Sequence, residues 1–445
     1  MARSGPASKS RHGDEVMITR VEVTGYKSLR EVQGIEIRPL TLLAGANSSG
    51  KSSIIQPLLL LKQTLETSYD PGVLFLNGPN VRFTAAEQLL SRTGKRSQVA
   101  TFKVSVETNG TSRVAIQYKH VSKEGLDIED MEYTENGTLR KLRLGMSRDE
   151  IAPILPDDFR NFVTRTQQGT VEVVRRRCFL DVLWIPQDRA EGRTFTFGLA
   201  PTARVETALR SIVHVPGLRG NPERDYSVSA VGPDFPGTFE TYVAGVIARW
   251  QADKAEELDG LGEDLELLGL TWKVSAKHIN ETQVELQVGR LSHAVTGGAH
   301  DLVSIADVGF GVSQTLPILV ALRAARPGQL IYLEQPEIHL HPRAQAAMAT
   351  VLANAIRRGV RVVVETHSSI LLLEIQALVA RGEILTPSDV KLHWFARRPD
   401  GATVVSSTDL DEAGTFGDWP EDFGSVEMDA QKRFFDASEA QLRKK

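Results

Sequence analysis

The sequence predicts an α/β protein in which buried strands run into polar turns, and three segments carry that prediction. Leu40-Thr41-Leu42-Leu43-Ala44 is an apolar, strand-like run; it enters Gly45-Ala46-Asn47-Ser48-Ser49-Gly50-Lys51-Ser52-Ser53, and the amphipathic stretch Ile54 to Leu65 follows. Leu330-Ile331-Tyr332-Leu333 is a second such run and ends in Glu334. Val360-Arg361-Val362-Val363-Val364 is a third and ends in Glu365-Thr366-His367-Ser368. Short apolar runs bounded by turn residues fit strands covered on both faces.

Residues 1–16 are rich in Ser, Gly and charge without an apolar segment, so they read as a disordered leader and not as a signal peptide. Residues 17–146 form a first lobe. Ile18, Val21 and Val23 alternate with polar neighbours, and Ile35-Glu36-Ile37 repeats the pattern, which predicts a small β layer ahead of the glycine-rich loop. Gln98 to Tyr118 and Met131 to Leu144 alternate again, with Asn136-Gly137 as a hairpin turn. Residues 147–290 read as a large inserted α/β region. Its helical periods at Phe159 to Thr166 and Phe239 to Leu258 are separated by Val215-Pro216-Gly217 and Gly232-Pro233-Asp234-Phe235-Pro236-Gly237, and a strand pair follows near Leu270–Ile279 and Gln283–Arg290. Residues 291–408 hold the second and third buried runs, and 409–445 form a C-terminal extension ending in the charged, helical Ala430–Lys445. No internal repeat or long heptad run appears.

The glycine-rich loop has the chemistry of a P-loop. Its glycines let the backbone curl so that successive N–H groups face a triphosphate, and the helix behind adds its positive end. Asn47, Ser48, Ser49, Gly50 and Ser53 then surround ATP, Lys51 reaches the β- and γ-phosphates, and Ser52 holds Mg²⁺. An ordinary glycine-rich turn is the rival reading, and the strand before it and the helix after it weigh against that. Glu334, at a strand end, stands where Mg²⁺ on the γ-phosphate needs an acid. His367 can sense the γ-phosphate or orient water. Gly309-Phe310-Gly311-Val312-Ser313-Gln314 precedes the apolar helix Thr315 to Leu322 and forms a second phosphate-facing helix start. It is too remote from the first to serve the same nucleotide, and would suit a partner subunit's ATP.

In order, P-loop, Gly-Ser signature, strand-end acid and switch histidine resemble the ABC-type ATPase heads, with a β layer before the P-loop and the insertion between it and the signature. The wording of Gly309-Phe310-Gly311-Val312-Ser313-Gln314, Glu334-Gln335-Pro336-Glu337-Ile338-His339-Leu340-His341-Pro342 and Glu365-Thr366-His367-Ser368 is similar to stand-alone bacterial ATPases of the OLD/RecF-like branch, several of which belong to antiphage defence cassettes. His214-Val215-Pro216-Gly217-Leu218-Arg219 matches that branch more loosely. The resemblance implies head-to-tail homodimers or higher homo-oligomers that sandwich two ATP molecules, with Gly309, Gly311, Ser313 and Gln314 completing each site in trans. It also implies a switch that controls a separately encoded effector, a nuclease or toxin. A RecF- or SMC-like DNA-repair clamp is the alternative.

Two departures from that branch matter. The position after the strand-end acid usually holds a glutamate acting as general base; here it is Gln335, which cannot take a proton from water at neutral pH. Hydrolysis is therefore expected to be slow unless Glu337 or His367 substitutes. A natural glutamine and an engineered trap read alike here, although similar stand-alone members carry Gln. Secondly, the Toprim nuclease domain of OLD proteins has no counterpart after His367, so any nuclease is expected on another polypeptide.

The remaining features admit plainer readings. Lys27, in Gly25-Tyr26-Lys27-Ser28, stands where related heads place a basic residue near the nucleotide, or in a solvated turn. His339 and His341 suit structural or dimer contacts better than a metal, for want of a third ligand. Arg175-Arg176-Arg177 could contact nucleic acid but reads more simply as a surface charge run, Arg219 and Arg224 in a loop shaped by glycines and proline are better candidates for such a contact, and Lys254 to Glu266 reads as a solvated helix face. A net charge of −4 over 445 residues argues against a uniformly basic coat but leaves nucleic acid open as a partner. The lone Cys178 excludes an internal disulfide and a cysteine-rich metal site. No apolar stretch is long enough to cross a membrane, so a cytoplasmic location is expected.

Overall fold

The computed structural model describes residues 16–92, 98–109, 112–135, 137–165, 169–186, 197–228, 232, 234–293, 300–417 and 432–438. The expected leader up to residue 15, Asn136 of the expected hairpin and most of the extension beyond 417 lie outside them.

A six-stranded sheet organises the chain. Its strands are β1 (Leu40–Gly45), β2 (Val213–Val215), β3 (Leu330–Glu334), β4 (Arg361–Glu365), β5 (Val390–Arg397) and β6 (Thr403–Asp409), in the order β2-β3-β4-β1-β5-β6. The first five are parallel, and β6 closes the edge antiparallel to β5. Alternation along each strand divides the core. Leu43, Tyr332, Val363 and Phe395 face one side, together with Ile54 and Leu58 of helix α1 (Lys51–Glu66). Leu42, Ile331, Leu333, Val362 and Val364 face the other, against helices α2 (Phe310–Ala324), α3 (Pro342–Arg357) and α4 (Ser369–Arg381). Period-two alternation with apolar residues on both faces explains why these strands read as unbroken apolar runs.

The expected β layer is a six-stranded antiparallel sheet, ordered Gln33–Glu36, Ile18–Thr24, Thr101–Thr108, Ser112–Val121, Gly125–Glu135 and Thr138–Leu142. Gly137, at φ +77°, turns the last hairpin. It packs over α1 in the same core as Leu43 and Val363.

Residues 147–290 do not stand apart as an insertion. They supply β2 to the central sheet, and their last strand, Gln283–Gly289, pairs with Leu302–Ser304 across the expected boundary at 290. Lys62 of α1, fully buried, pairs with Glu66 and donates to the carbonyls of Arg210 (3.2 Å) and Phe235 (3.3 Å), which ties the region to the P-loop helix.

The two sheets are joined at the start of β4. Arg361 is buried, and its guanidinium donates to the carbonyls of Ile18 and Ile37, so a charge from the central sheet satisfies the backbone of the β layer. Arg361→Met keeps the aliphatic stem but leaves two buried acceptors unpaired. Since each such loss costs about 1–3 kcal/mol, the variant is expected to lose about 2–6 kcal/mol by chemical denaturation.

Candidate functional site

The site is built where β1 turns into α1. Gly45 has φ +141°, and a Cβ there would lie 2.3 Å from the carbonyl oxygen of Phe395 in neighbouring β5. Gly50, which caps α1, has φ +103°, and its Cβ would meet Thr403 Oγ1 at 2.5 Å and Ser28 Oγ at 2.8 Å. The Thr403 hydroxyl donates to Ser49 O at 2.6 Å, so β6 braces the loop from behind. Lys51 is buried beneath the loop, where its ammonium donates to Gly45 O and Ala46 O, both at 2.9 Å. Burial pulls its pKa down, while Glu365 and Glu337 pull it up.

A cavity of about 910 Å³ opens over this loop. It brings together the expected Asn47 to Ser53 and Lys27 with Gln335 and His367. Lys27, Arg30, Lys51, Arg92 and Arg397 on its wall outnumber the carboxylates Glu87 and Glu365, so it favours an anion. Lys27 has φ +49°; its ammonium donates to Gln56 Oε1 at 2.6 Å and lies 4.6 Å from the centre of the Phe83 ring. Burial lowers its pKa.

The acids are arranged differently from the expectation. Glu334, expected beside Ser52, instead reaches toward the neighbouring strand β2. His214 Nε2 lies 3.1 Å from its Oε1, Gly217 N donates to its Oε2 at 3.0 Å, and Glu334 does not line the cavity. Burial would raise its pKa, but His214 first and then the Gly217 amide hold it below the ordinary value. The acid that meets Ser52 is Glu365, to whose Oε1 the Ser52 hydroxyl donates at 3.0 Å; Tyr332 OH donates to the other oxygen at 2.8 Å. Burial raises the Glu365 pKa, against the lowering by Tyr332 and Ser52. The sequence offered one cue to Glu365, an ionisable residue directly after the apolar run Val362-Val363-Val364.

Gln335 has φ +47° and donates its N–H to Glu365 O at 2.7 Å. Glu337 is buried beneath an adjoining cavity that Asn47, Gln335 and His367 also line. Its Oε1 accepts from His367 N at 2.7 Å, and its Oε2 has no hydrogen-bond partner. Burial raises its pKa. Burial first, and then the nearby Lys51 charge, lower the pKa of His367.

Gly309 caps α2 and is exposed, as is Phe310, and the Ser313 hydroxyl donates to Phe310 O at 3.2 Å. Nothing lies within 4 Å of where a Gly309 Cβ would stand. Gln314, expected to face a partner's nucleotide, is instead buried and donates to Gly220 O at 2.7 Å. Arg219, a candidate nucleic-acid contact, is buried too. It bridges Gln314 O (3.1 Å) and Glu334 O (2.7 Å), and burial pushes its guanidinium down to about 10. The motif His214 to Arg219 is therefore a clasp between the end of β3 and α2.

The other candidate arginines are also engaged within the chain. Arg175 pairs with Asp70, Arg176 with Asp181, and Arg177 donates to the last carbonyls of α1 at Thr64 and Leu65, while Arg224 pairs with Asp307. His339, at φ +67°, lies 5.9 Å from the Phe310 ring, and His341 caps α3. Among the described residues no group of three His, Cys, Asp or Glu could hold a metal ion, and no helix is long and apolar enough to cross a membrane. The run 254–266 is not uniformly solvated: Asp264 is buried against Arg323 at 2.6 Å.

Comparison with known families bears on both halves of this site. Residues 17–155, which contain the P-loop, match the family described as "AAA ATPase domain". Residues 225–374, which contain Glu334, Glu337, Glu365 and His367, match that described as "AAA domain, putative AbiEii toxin, Type IV TA system". Each match spans about a third of the chain, and both models are of AAA-type domains. No curated protein matches this chain. Similar solved structures include an SmcHead bound to the C-winged helix domain of ScpA, at 14% identity and TM-score 0.45, covering 89% of this chain and 99% of that one. The SMC head domain from Thermotoga maritima has 13% identity and TM-score 0.38 over 89% and 99%. An Smc head domain with an extended coiled coil, bound to the C-terminal domain of ScpA derived from Pyrococcus furiosus, has 14% identity and TM-score 0.44 over 88% and 96%.

The contacts around Gly50 give a direct test of the loop. Gly50→Ala incurs both left-handed strain and a clash with Thr403, whereas Gly72→Ala, at φ +91° with nothing within 4 Å, incurs only strain. Calorimetry is expected to find Gly50→Ala less stable than Gly72→Ala by about 1–3 kcal/mol.

Proposed function

We propose that this chain binds ATP with Mg²⁺ in the P-loop cavity, dimerises head to tail around it, hydrolyses it slowly and serves as a switch for a separate effector in antiphage defence. The observation that carries the nucleotide reading is the convergence of a strand–loop–helix P-loop, a buried lysine and a cation-rich cavity with Gln335, Glu365 and His367. Ser52 and Glu365 are hard oxygen donors of the kind Mg²⁺ takes alongside substrate phosphates. When bound, the ion would neutralise charge developing on the γ-phosphate.

Dimerisation draws support from Gly309, which is exposed and which nothing in its own chain requires to be a glycine. Its neighbour Phe310 offers an exposed aromatic face beside it. The matched family that names a toxin of a toxin–antitoxin system supports the defence reading. The clamp alternative finds no free cation among Arg175, Arg176, Arg177, Arg219 and Arg224.

Slow turnover follows from Gln335. Glu337 and His367 are the substitute bases on hand; the buried Glu337 carboxylate has an oxygen without a hydrogen-bond partner among the described residues, and Asn47 and His367 line the same cavity. Because burial raises the Glu337 pKa, the basic form accumulates only as pH rises through that raised value. Residual hydrolysis is expected to climb over that interval and then level off, and Glu337→Gln is expected to abolish the limb in a pH–rate profile. Gln335→Glu is expected to raise phosphate release by about ten- to a thousandfold; no increase would mean that another group already acts as base. Lys51→Ala removes a charge-assisted phosphate contact worth about 1.5–3 kcal/mol, or about ten- to a hundredfold in affinity. Equilibrium dialysis against ATP tests the whole reading, since unchanged affinity in Lys51→Ala would remove the P-loop assignment.

A further inference from the structure

We propose that Glu365, and not the strand-end acid Glu334, binds the divalent cation that accompanies the nucleotide, acting together with Ser52 either directly or through one of the waters that Mg²⁺ retains. The inference rests on the nucleotide reading above and identifies the metal-binding acid of that site.

Glu334 and Glu365 are register partners on the adjacent parallel strands β3 and β4, so both stand at the same level of the sheet rim. What separates them is the groups that hold each one. Both oxygens of Glu334 are engaged, by His214 Nε2 and by Gly217 N. His214 is itself fixed by Asn80 Oδ1 at 3.1 Å and by stacking on Tyr332, at 5.5 Å between ring centres. To reach a cation at Ser52, Glu334 would have to leave two hydrogen bonds and break the clasp that Arg219 completes.

Glu365 needs no such rearrangement. It lines the P-loop cavity, is only 6% exposed, and accepts the Ser52 hydroxyl on one oxygen. A serine that ligates a cation offers a lone pair to the metal and its proton to an acceptor, and Glu365 already takes that proton. Tyr332 fixes the second oxygen and so sets the plane of the carboxylate. Ser52 and Glu365 together supply two oxygen ligands at most, fewer than the octahedral set that Mg²⁺ takes. Waters and phosphate oxygens supply the rest, and the phosphate share makes cation affinity dependent on nucleotide.

The test uses the full-length protein and Mn²⁺ as the probe, with the free-ion signal followed by electron paramagnetic resonance in the presence of ADP. Nucleotide affinity is measured separately in EDTA. Glu365→Gln is expected to weaken nucleotide-dependent Mn²⁺ binding by about ten- to a hundredfold, the loss usual for a group that positions or ligates a metal. Nucleotide affinity in EDTA is expected to be unchanged or tighter, because a negative charge has gone. Glu334→Gln is expected to leave Mn²⁺ affinity within about threefold of the wild type. Should Glu365→Gln not fold, Glu365→Asp keeps the charge but withdraws it by one methylene, and a loss of at least about threefold is expected. Unchanged Mn²⁺ affinity in the folded Glu365 variant, or a larger loss in Glu334→Gln, overturns the assignment while leaving nucleotide binding intact. Failure of the wild type to bind ADP both in EDTA and with Mn²⁺ present would instead overturn the nucleotide reading and this inference with it.

Discussion

The parallel register of the central sheet is the constraint on which the site depends. Pairing sets Glu365 opposite Leu43, Gly45 opposite Phe395 and Glu334 opposite Glu365, so the carboxyl ends of β1, β3, β4 and β5 finish along one rim. Because side-chain direction alternates with period two, a one-residue slip in any pair would turn Glu365 or Tyr332 into the opposite core. That register is held by apolar residues on both faces, which leaves no solvent-facing side onto which a slipped strand could turn.

Long-range polar contacts then fix what the register brings near. Thr403, from the last strand of the sheet, reaches the backbone of Ser49; Arg361 reaches Ile18 and Ile37; Lys62 reaches Arg210 and Phe235. Each joins segments more than a hundred residues apart, and each uses a buried polar group whose partner is a backbone carbonyl or, for Lys62, also a carboxylate. Buried donors of this kind are costly to orphan, so they specify one arrangement of the lobes more sharply than apolar packing does.

The sequence showed the parts of this molecule whose signals are local. The P-loop, the apolar strands before Glu334 and Glu365, and the β layer stand out because periodicity and turn chemistry act over a few residues. The direction of Glu334 was not legible, because it depends on β2, a three-residue strand too short to show a period, which delivers His214 from more than a hundred residues away. Gln314 and Arg219 were misread for a related reason: a polar residue beside glycines looks solvent-facing until the segment that buries it is known. The arginine run from 175 to 177 resembled a charged patch, yet one of its members closes the open carbonyls at the end of α1, a role invisible without the helix beside it.

The Arg219 bridge has a mechanical consequence. A planar guanidinium spanning the carbonyl of Glu334 and that of Gln314 is a short strut between two backbones, with no flexible side chain at either end to absorb displacement. The end of β3 and the first turns of α2 are thereby held at one separation, and the exposed Gly309–Phe310 tip of that helix is positioned relative to the sheet rim through a single buried charge.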